Sequence, residues 1–480
     1  MTVVLAVDVG TTAVKAACVV DGAIDDVAEV PLGRSTPRPG RSEQHPDDWW
    51  AAAVGAMRSV ARDDVDAISV TGQMQDLVPL RADGRPVRPA ILYGDARAGA
   101  EHEELVDRFG PAWVDAVCGP LDATNLAAKW VWLQRHEPDV VEATDFVLLG
   151  AHSVVVQRLC GAVLCDPTTA ATTGLFDVRS GVWWAPVVEE LGIPVPPLGD
   201  PSTPAGWLAT AVAAALELPA AVPVFHANGD AVATTLALVG DGGRRPYASI
   251  GTSGWVADVA DRPLGGALSL PVGDGRFVSI APMLTAGAAI DWAREAILGG
   301  IGPNALDRLA DGVSAVEHGV LFVPHLDGVR FPVSSSEATG VLVGLRRSTG
   351  ADVVAAAVLE GVAHALGQLL DLIAPDAVEL AACGGAVRID AVLRALADVC
   401  GIPVVRVDDA HAGLLGAAIV AHRGMGAEPL GAAAVTDRFE PDPRRHELHL
   451  RARPRFEAVV SSLGPVFGDL AALRAGADDA

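Results

Sequence analysis

Val3 to Val9 is an apolar run broken once, by Asp8, and Ala13 to Val20 is a second run on the far side of Gly10-Thr11-Thr12. Short apolar runs flanking a glycine turn predict two buried strands joined as a hairpin. The pattern returns in the second half. Tyr247 to Ile250 enters Gly251-Thr252-Ser253-Gly254, and Trp255 to Asp258 leaves it. Each hairpin is followed by a further strand pattern, Ile24 to Leu32 and Phe277 to Ala281, and then by a helical stretch, Pro46 to Ala61 and Ala286 to Leu298. Two such halves predict a diverged duplication of one α/β unit. Helical spacing is clearest from Asp352 to Leu372, where Val354, Val358, Val362, Ala365 and Leu369 share a face. Ala381 to Ala386 reads as a strand entering the Gly384-Gly385 turn, with a helix from Asp390 to Cys400. Ala221 to Phe225 reads as a strand ending in His226-Ala-Asn-Gly229, and a helix of small residues starts just after it.

A chain of 480 residues exceeds one ordinary core, so two domains are expected. The loop composition of Asp241-Gly-Gly-Arg-Arg-Pro246 places the division there. The expected parts are an N-terminal domain over 1–241 on the sugar side, a C-terminal domain over 242–427 on the nucleotide side, and an extension over 428–480 that packs as a late helix. No segment reads as a membrane span. The best candidate, Leu208 to Leu218, is short, carries Glu217 and runs into Pro219. The start of the chain lacks a basic region, which argues against a signal peptide. The six cysteines form no Cys-x-x-Cys pair, so a reduced, cytoplasmic setting is expected.

Net charge is −25, which argues against nucleic acid or an anionic membrane as the main partner. A phosphorylated ligand is still open to the chain, because backbone N–H groups, helix N-termini and a bound cation hold phosphate locally. Of the 35 bases only Lys15 and Lys129 are lysines, and Lys15 follows the first glycine turn. An ionised Asp8 is costly at the end of a buried strand unless a cation or donor meets it. No Gly-x-x-x-x-Gly-Lys-[Ser/Thr] occurs, so a Walker-type loop is excluded. The chain offers instead two hydroxyl-rich turns, Gly10-Thr11-Thr12 and Gly251-Thr252-Ser253. Either is an ordinary hairpin taken alone, whereas a matched pair fits phosphate binding. Asp230 has two readings, the cap of the helix it begins and a general base on a hydroxyl nucleophile.

In this order the chain carries "VDVGTTAVKA", "GRSEQHPDDWW", "ISVTGQMQDLVPL", "ILYGDARAGAE", "AAKWVWLQRHEPDV", "TTGLFDV", "NGDA", "SIGTSG", "LFVPHLDGVRFP", "GVLVGL", "AAAVLEGVAHAL", "CGGAVRIDAVLRALADVCGIPV" and "GLLGAAIVA". In these motifs it resembles the FGGY carbohydrate kinase family, and within it the branch acting on D-xylulose. The resemblance implies two ribonuclease-H-like domains of the actin and hexokinase kind around a cleft, with two distant carboxylates converging there. It implies phosphorylation of a sugar hydroxyl by ATP with Mg2+. A ketopentose such as D-xylulose, giving D-xylulose 5-phosphate, leads as substrate. Carried over by position, Asp8 acts through the metal, Asp230 is the base, and both reach the metal through water and phosphates. Gly10, Thr11, Thr12 and Lys15 border the phosphates from one side and Gly251, Thr252 and Ser253 from the other. Gly384, Gly385 and Ala386 lie along the adenosine. Gln73, Met74, Gln75, Asp76, Asp95, Arg97 and Asp230 face the sugar. A homodimer is the candidate assembly.

The departures from the family pattern gather in the sugar pocket. Gln75-Asp76 stands where His-Gly is usual, Ala231 where Asn follows the base, Tyr93-Gly94 where Trp-Asn is usual, and Gly328-Val329-Arg330-Phe331-Pro332 where Gly-Glu-Arg-Thr-Pro is usual. A lost partner for a buried hydroxyl costs about 1–3 kcal/mol. The alternatives are therefore another pentulose, a hexulose or a polyol as substrate, or a degenerate binding protein that senses sugar or nucleotide.

Overall fold

The first hairpin forms where the apolar pattern puts it. Strand β1 (Val3–Val9) runs antiparallel to β2 (Ala13–Val20), with Asp8 opposite Lys15. In the computed structural model every residue is described except 34–35, 37–39, 120, 332–334 and 479–480, so Pro332 lies outside the described residues. β3 (Ala23–Pro31) pairs with β2 on one side. On the other side β4 (Ala67–Gly72) runs parallel to β1, and β5 (Pro223–His226) runs parallel to β4. The order β3-β2-β1-β4-β5 is that of a ribonuclease-H-like sheet, extended at its edge by Pro204–Trp207. Helices α1 (Pro46–Ser59) and α2 (Ala151–Cys160) cover one face. Helix α3 (Asp230–Val239) and the helix Ala412–Met425 pack together over the other. With both faces covered, the central strands are apolar on both sides and need no alternation.

The second sheet repeats this order. Strands β6 (Tyr247–Ile250), β7 (Gly254–Ala260), β8 (Arg276–Met283), β9 (Leu380–Cys383) and β10 (Val404–Val407) lie as β8-β7-β6-β9-β10. The long helix α4 (Ala351–Ile373) and α5 (Asp390–Cys400) pack together in this core, and Val358, Val362, Ala365 and Leu369 of the expected stripe are buried. Helix α6 (Pro443–Asp478) adds Phe456.

The compact units do not follow a single cut of the chain. One takes Met1–Arg244, Ala260–Val278 and Ala410–Ala433, and the other Arg245–Val259, Ser279–Asp409 and Ala434–Ala480. A short contact explains the return of Ala412–Met425 to the first unit. A Cβ on Gly416 would stand 1.9 Å from the Ala233 carbonyl, so glycine lets the two helices touch backbone to backbone. The membrane reading needs correction. By length and composition two helices could cross a bilayer, Ala351–Ile373 and Pro443–Arg474. The first is nearly all buried as the core helix of its unit, and that packing accounts for its apolar run. The second is mostly exposed and is interrupted by Pro454 and Pro465.

Candidate active site

Asp8 and Asp230 both belong to the first unit. Asp8 stands near the C-terminal end of β1, beside Lys15, and ahead of a Gly10 turn closed by the Gly10 N–H to the Ala13 carbonyl at 3.1 Å. Asp230 opens α3 directly after Gly229. The helix-cap reading of Asp230 fails here. Gly229 is the N-cap, no side-chain capping bond forms, and Asp230 is already helical. Burial raises the Asp230 carboxyl to about 7, and the Asp8 carboxylate adds to the rise, while His152 opposes it. Burial likewise raises Asp8, with Lys15 and His152 opposing. Among the described residues neither carboxylate forms an ion pair within 4.0 Å. The charge of Asp8 thus reaches Asp230, while Lys15 is the first cation acting on Asp8.

Glycines set the spacing around both acids. A Cβ on Gly413, in the first turn of Ala412–Met425, would stand 2.4 Å from Asp8 Oδ2. A Cβ on Gly229 would stand 2.1 Å from Met74 Sδ, so Met74 packs against the backbone that carries Asp230. Gln73 joins the first turn to this wall. Its Oε1 accepts from Thr11 Oγ1 at 2.9 Å, and its Nε2 donates to Gln44 Oε1 at 3.0 Å. Gln44 Nε2 in turn donates to the Thr11 carbonyl at 2.8 Å. Thr12 stays exposed.

The remaining sugar-side candidates divide. Gln75 holds a left-handed φ of 61°, which is uncommon for a side chain of this size, and donates to the Thr124 carbonyl at 3.0 Å. Asp76 is fully enclosed and accepts from the Tyr93 N–H at 3.1 Å. Burial drives its carboxyl up to about 8 against the pull of Lys129, and the same burial drives Lys129 down to about 8. Lys129, also fully buried, donates to the Leu92 carbonyl at 2.8 Å. The Arg97 guanidinium donates to Asp95 through two side-chain bonds of 2.8 and 2.7 Å, and Arg97 also reaches Glu43 at 2.6 Å and lies over Trp132. Asp76, Asp95 and Arg97 thus hold the wall, whereas Met74, Gln75 and Asp230 are the partly exposed candidates. Lys129→Met is expected to destabilise the protein by about 1–3 kcal/mol in urea unfolding, because it leaves the buried Asp76 carboxyl without its neighbouring amine. Adding Asp76→Asn should recover most of that loss.

In the second unit the Gly251 and Gly384 turns leave neighbouring parallel strands, with Ser249 opposite Cys383. Gly384 has φ 94°, and a Cβ there would stand 2.9 Å from the Ile250 backbone, so only glycine fits. Its N–H donates to Asp409 Oδ2 at 2.8 Å. The Gly251 carbonyl accepts from the Gly287 N–H at 2.8 Å, which fixes that turn to the next helix and leaves Thr252 and Ser253 exposed. Gly385 and Ala386 begin the short helical turn Gly385–Arg388. Gly384→Val is expected to cost about 1–3 kcal/mol in strain, checked by urea unfolding.

Residues 3–237 match the model of the N-terminal domain of the FGGY family of carbohydrate kinases, and residues 247–425 match that of its C-terminal domain. The chain belongs to this family. It is a carbohydrate kinase, with ATP and a small sugar as its substrates. It is 30% identical over 494 residues to a xylulose kinase of Escherichia coli strain K12, spanning 96% of this chain and 99% of that protein. It is 32% identical over 402 residues to a xylulose kinase of Streptomyces rubiginosus, spanning 80% of each. A solved xylulose kinase from Brucella ovis superposes with a TM-score of 0.88 at 27% identity, covering 96% of this chain and 99% of that one. The two-domain kinase fold is that of this family.

Several residues of this kinase escaped the sequence reading. Lys129 had one available signal, its rarity, since the two lysines of the chain flank Asp8 and Asp76. Gln44 and Gly413 had none, because their roles depend on contacts between segments far apart in the chain.

Proposed function

We propose that this kinase transfers the γ-phosphoryl group of ATP to a ketopentose, D-xylulose, giving D-xylulose 5-phosphate and ADP. The observation that carries the chemistry is the carboxyl of Asp230, raised to about 7 by burial and by Asp8. A base poised near the working pH takes a proton most efficiently in the transition state. Asp230 accepts the proton of the sugar hydroxyl as its oxygen bonds to the γ-phosphorus, and the bond to the ADP oxygen breaks. Asp8, with Asp230, is assigned to holding Mg2+ through water and phosphate oxygens. Two buried carboxyls, one raised by the charge of the other and neither in an ion pair among the described residues, fit that ion. When bound, Mg2+ offsets the negative charge of the reacting phosphates. Gly10, Thr11, Thr12 and Lys15 are assigned to the phosphates, as are Gly251, Thr252 and Ser253, and the Gly384, Gly385, Ala386 turn to the adenosine. Transfer then rests on alignment and charge compensation.

D-Xylulose follows from the relatives. A second reading, another pentulose, a hexulose or a polyol, is favoured by Gln75, whose amide is already committed to Thr124. Coupled ADP release over a panel of pentuloses, hexuloses and polyols separates the two. D-Xylulose should give the highest kcat/KM. A higher value for another sugar moves the assignment to that sugar, and no turnover on any member with ATP still bound rejects the substrate class.

A further inference from the structure

We propose that His152, Asp166 and His226 hold a divalent metal ion with the donor preference of Zn2+, buried behind the glycine that precedes Asp230. His152 lies in the first turn of α2, Asp166 caps the short helix Pro167–Ala171, and His226 ends β5. All three belong to the first unit. Their exposures are 0%, 1% and 3%, and one ligand atom from each lies within 4.8 Å of the other two.

The hydrogen inventory of the cluster leaves a positive charge missing. His152 Nδ1 is 3.3 Å from the Gln73 carbonyl, which can only accept, so that nitrogen carries the ring hydrogen. A neutral ring then turns a bare lone pair at Nε2 towards Asp166 Oδ2, 3.1 Å away. The other carboxylate oxygen is filled by the N–H groups of Thr169 at 3.0 Å and Gly229 at 3.2 Å. His226 Nε2 pairs with Ser153 Oγ at 2.8 Å. Its Nδ1 has no hydrogen-bond partner and faces the same Asp166 Oδ2 at 3.8 Å. In the tautomer that donates from His226 Nε2 to Ser153 Oγ, Nδ1 is bare as well, and three acceptor atoms point at one buried spot. A proton between Nε2 and Oδ2 satisfies that pair alone and leaves His226 Nδ1 orphaned. A metal ion satisfies all three atoms.

The surroundings suit an ion of this kind. Ligating histidines usually donate their outer N–H to a carbonyl or carboxylate, as His152 does to Gln73. Two imidazoles and one carboxylate match Zn2+ and are poor for the oxygen-preferring Mg2+. The two donor pairs that share Asp166 Oδ2, 3.1 and 3.8 Å apart, already stand near the spacing that bonds of about 2.0–2.2 Å require, and the third pair lies within 4.8 Å. Thr169 Oγ1, 3.4 Å from His152 Nε2, is placed for a fourth position. Because Asp166 also grips the Gly229 N–H, the ion would fix the backbone that presents Asp230.

The test uses the full chain, stripped with a chelator and then titrated with Co2+ and Zn2+ without nucleotide. One equivalent of Co2+ should survive desalting and give the visible bands of a tetrahedral site. Zn2+ in excess should raise the melting temperature by several degrees. Asp8→Asn, which removes none of the three ligands, should still bind one equivalent of the ion. His226→Gln, which retains a partner for Ser153, should lose the bands and the thermal shift; its own melting temperature shows that it is folded. No retained metal and no Zn2+-dependent shift in the parent would overturn the proposal, leaving a cluster closed by a proton. Retention that vanishes in Asp8→Asn would overturn it equally, by placing the ion elsewhere.

Discussion

Replacing Asp230 with asparagine is expected to lower kcat for sugar-dependent ADP release by about 10²–10⁴-fold, the usual weight of a positioned general base. The Kd for ATP should hardly move, because the amide keeps the shape of the side chain. The same variant should be the more heat-stable protein at neutral and alkaline pH. The Asp230 carboxyl is raised from 3.8 to about 7 on folding, so between those values the folded state keeps a proton that the unfolded chain releases. Folding stability from this group therefore falls as pH climbs through that window and is lowest above about 7. Asparagine removes the penalty. The melting difference between variant and parent should be near zero at acid pH and should widen up to neutrality. A site that trades stability for reactivity behaves in this way. Undiminished turnover in Asp230→Asn would remove it from the chemistry.

Asp8→Asn is expected to reduce kcat by about 10²–10³-fold and to raise the Mg2+ concentration needed for half-maximal rate. A neutral side chain no longer draws the cation, and the repulsion on Asp230 disappears with it. Asp8 is the second cause of the raised Asp230 carboxyl after burial. The acid limb of the variant's residual activity should consequently sit at lower pH than the parent's. A Mg2+ titration at fixed ATP and a pH–rate profile check both points. An unchanged Mg2+ requirement would assign Asp8 to structure alone.

The sequence pattern carried the hairpins, the order of the motifs and the helix Asp390–Cys400, because these follow from local periodicity and turn chemistry. Helix α4 was legible for the same reason, to within one residue at each end. Its apolar run passes a test of length for a membrane span, and only the packing of its unit shows it as core. The pocket was less legible. Asp76, Asp95 and Arg97 sit in motifs that line a sugar site in the family pattern, yet here they are committed to Lys129, Tyr93, Glu43 and each other. Nothing local to "QMQDL" shows that a lysine far along the chain lies beside its acid. The return of Ala412–Met425 to the first unit was equally hidden, since it depends on Gly416 meeting the Ala233 carbonyl. Asp230 misled in a different way, for Gly229 took the cap and released the carboxylate.

The sharpest check is the pH dependence of kcat/KM for the sugar, measured from roughly pH 6 to pH 8.5 at low and at saturating Mg-ATP. At low Mg-ATP the rate should fall on the acid side with a midpoint near 7, the value set by burial and by Asp8. Saturating Mg-ATP should move that midpoint down, because the cation offsets the charge on Asp8. A profile that is flat over the range, or a midpoint that ignores Mg-ATP, would contradict a base at Asp230 coupled to a metal-bearing carboxylate at Asp8.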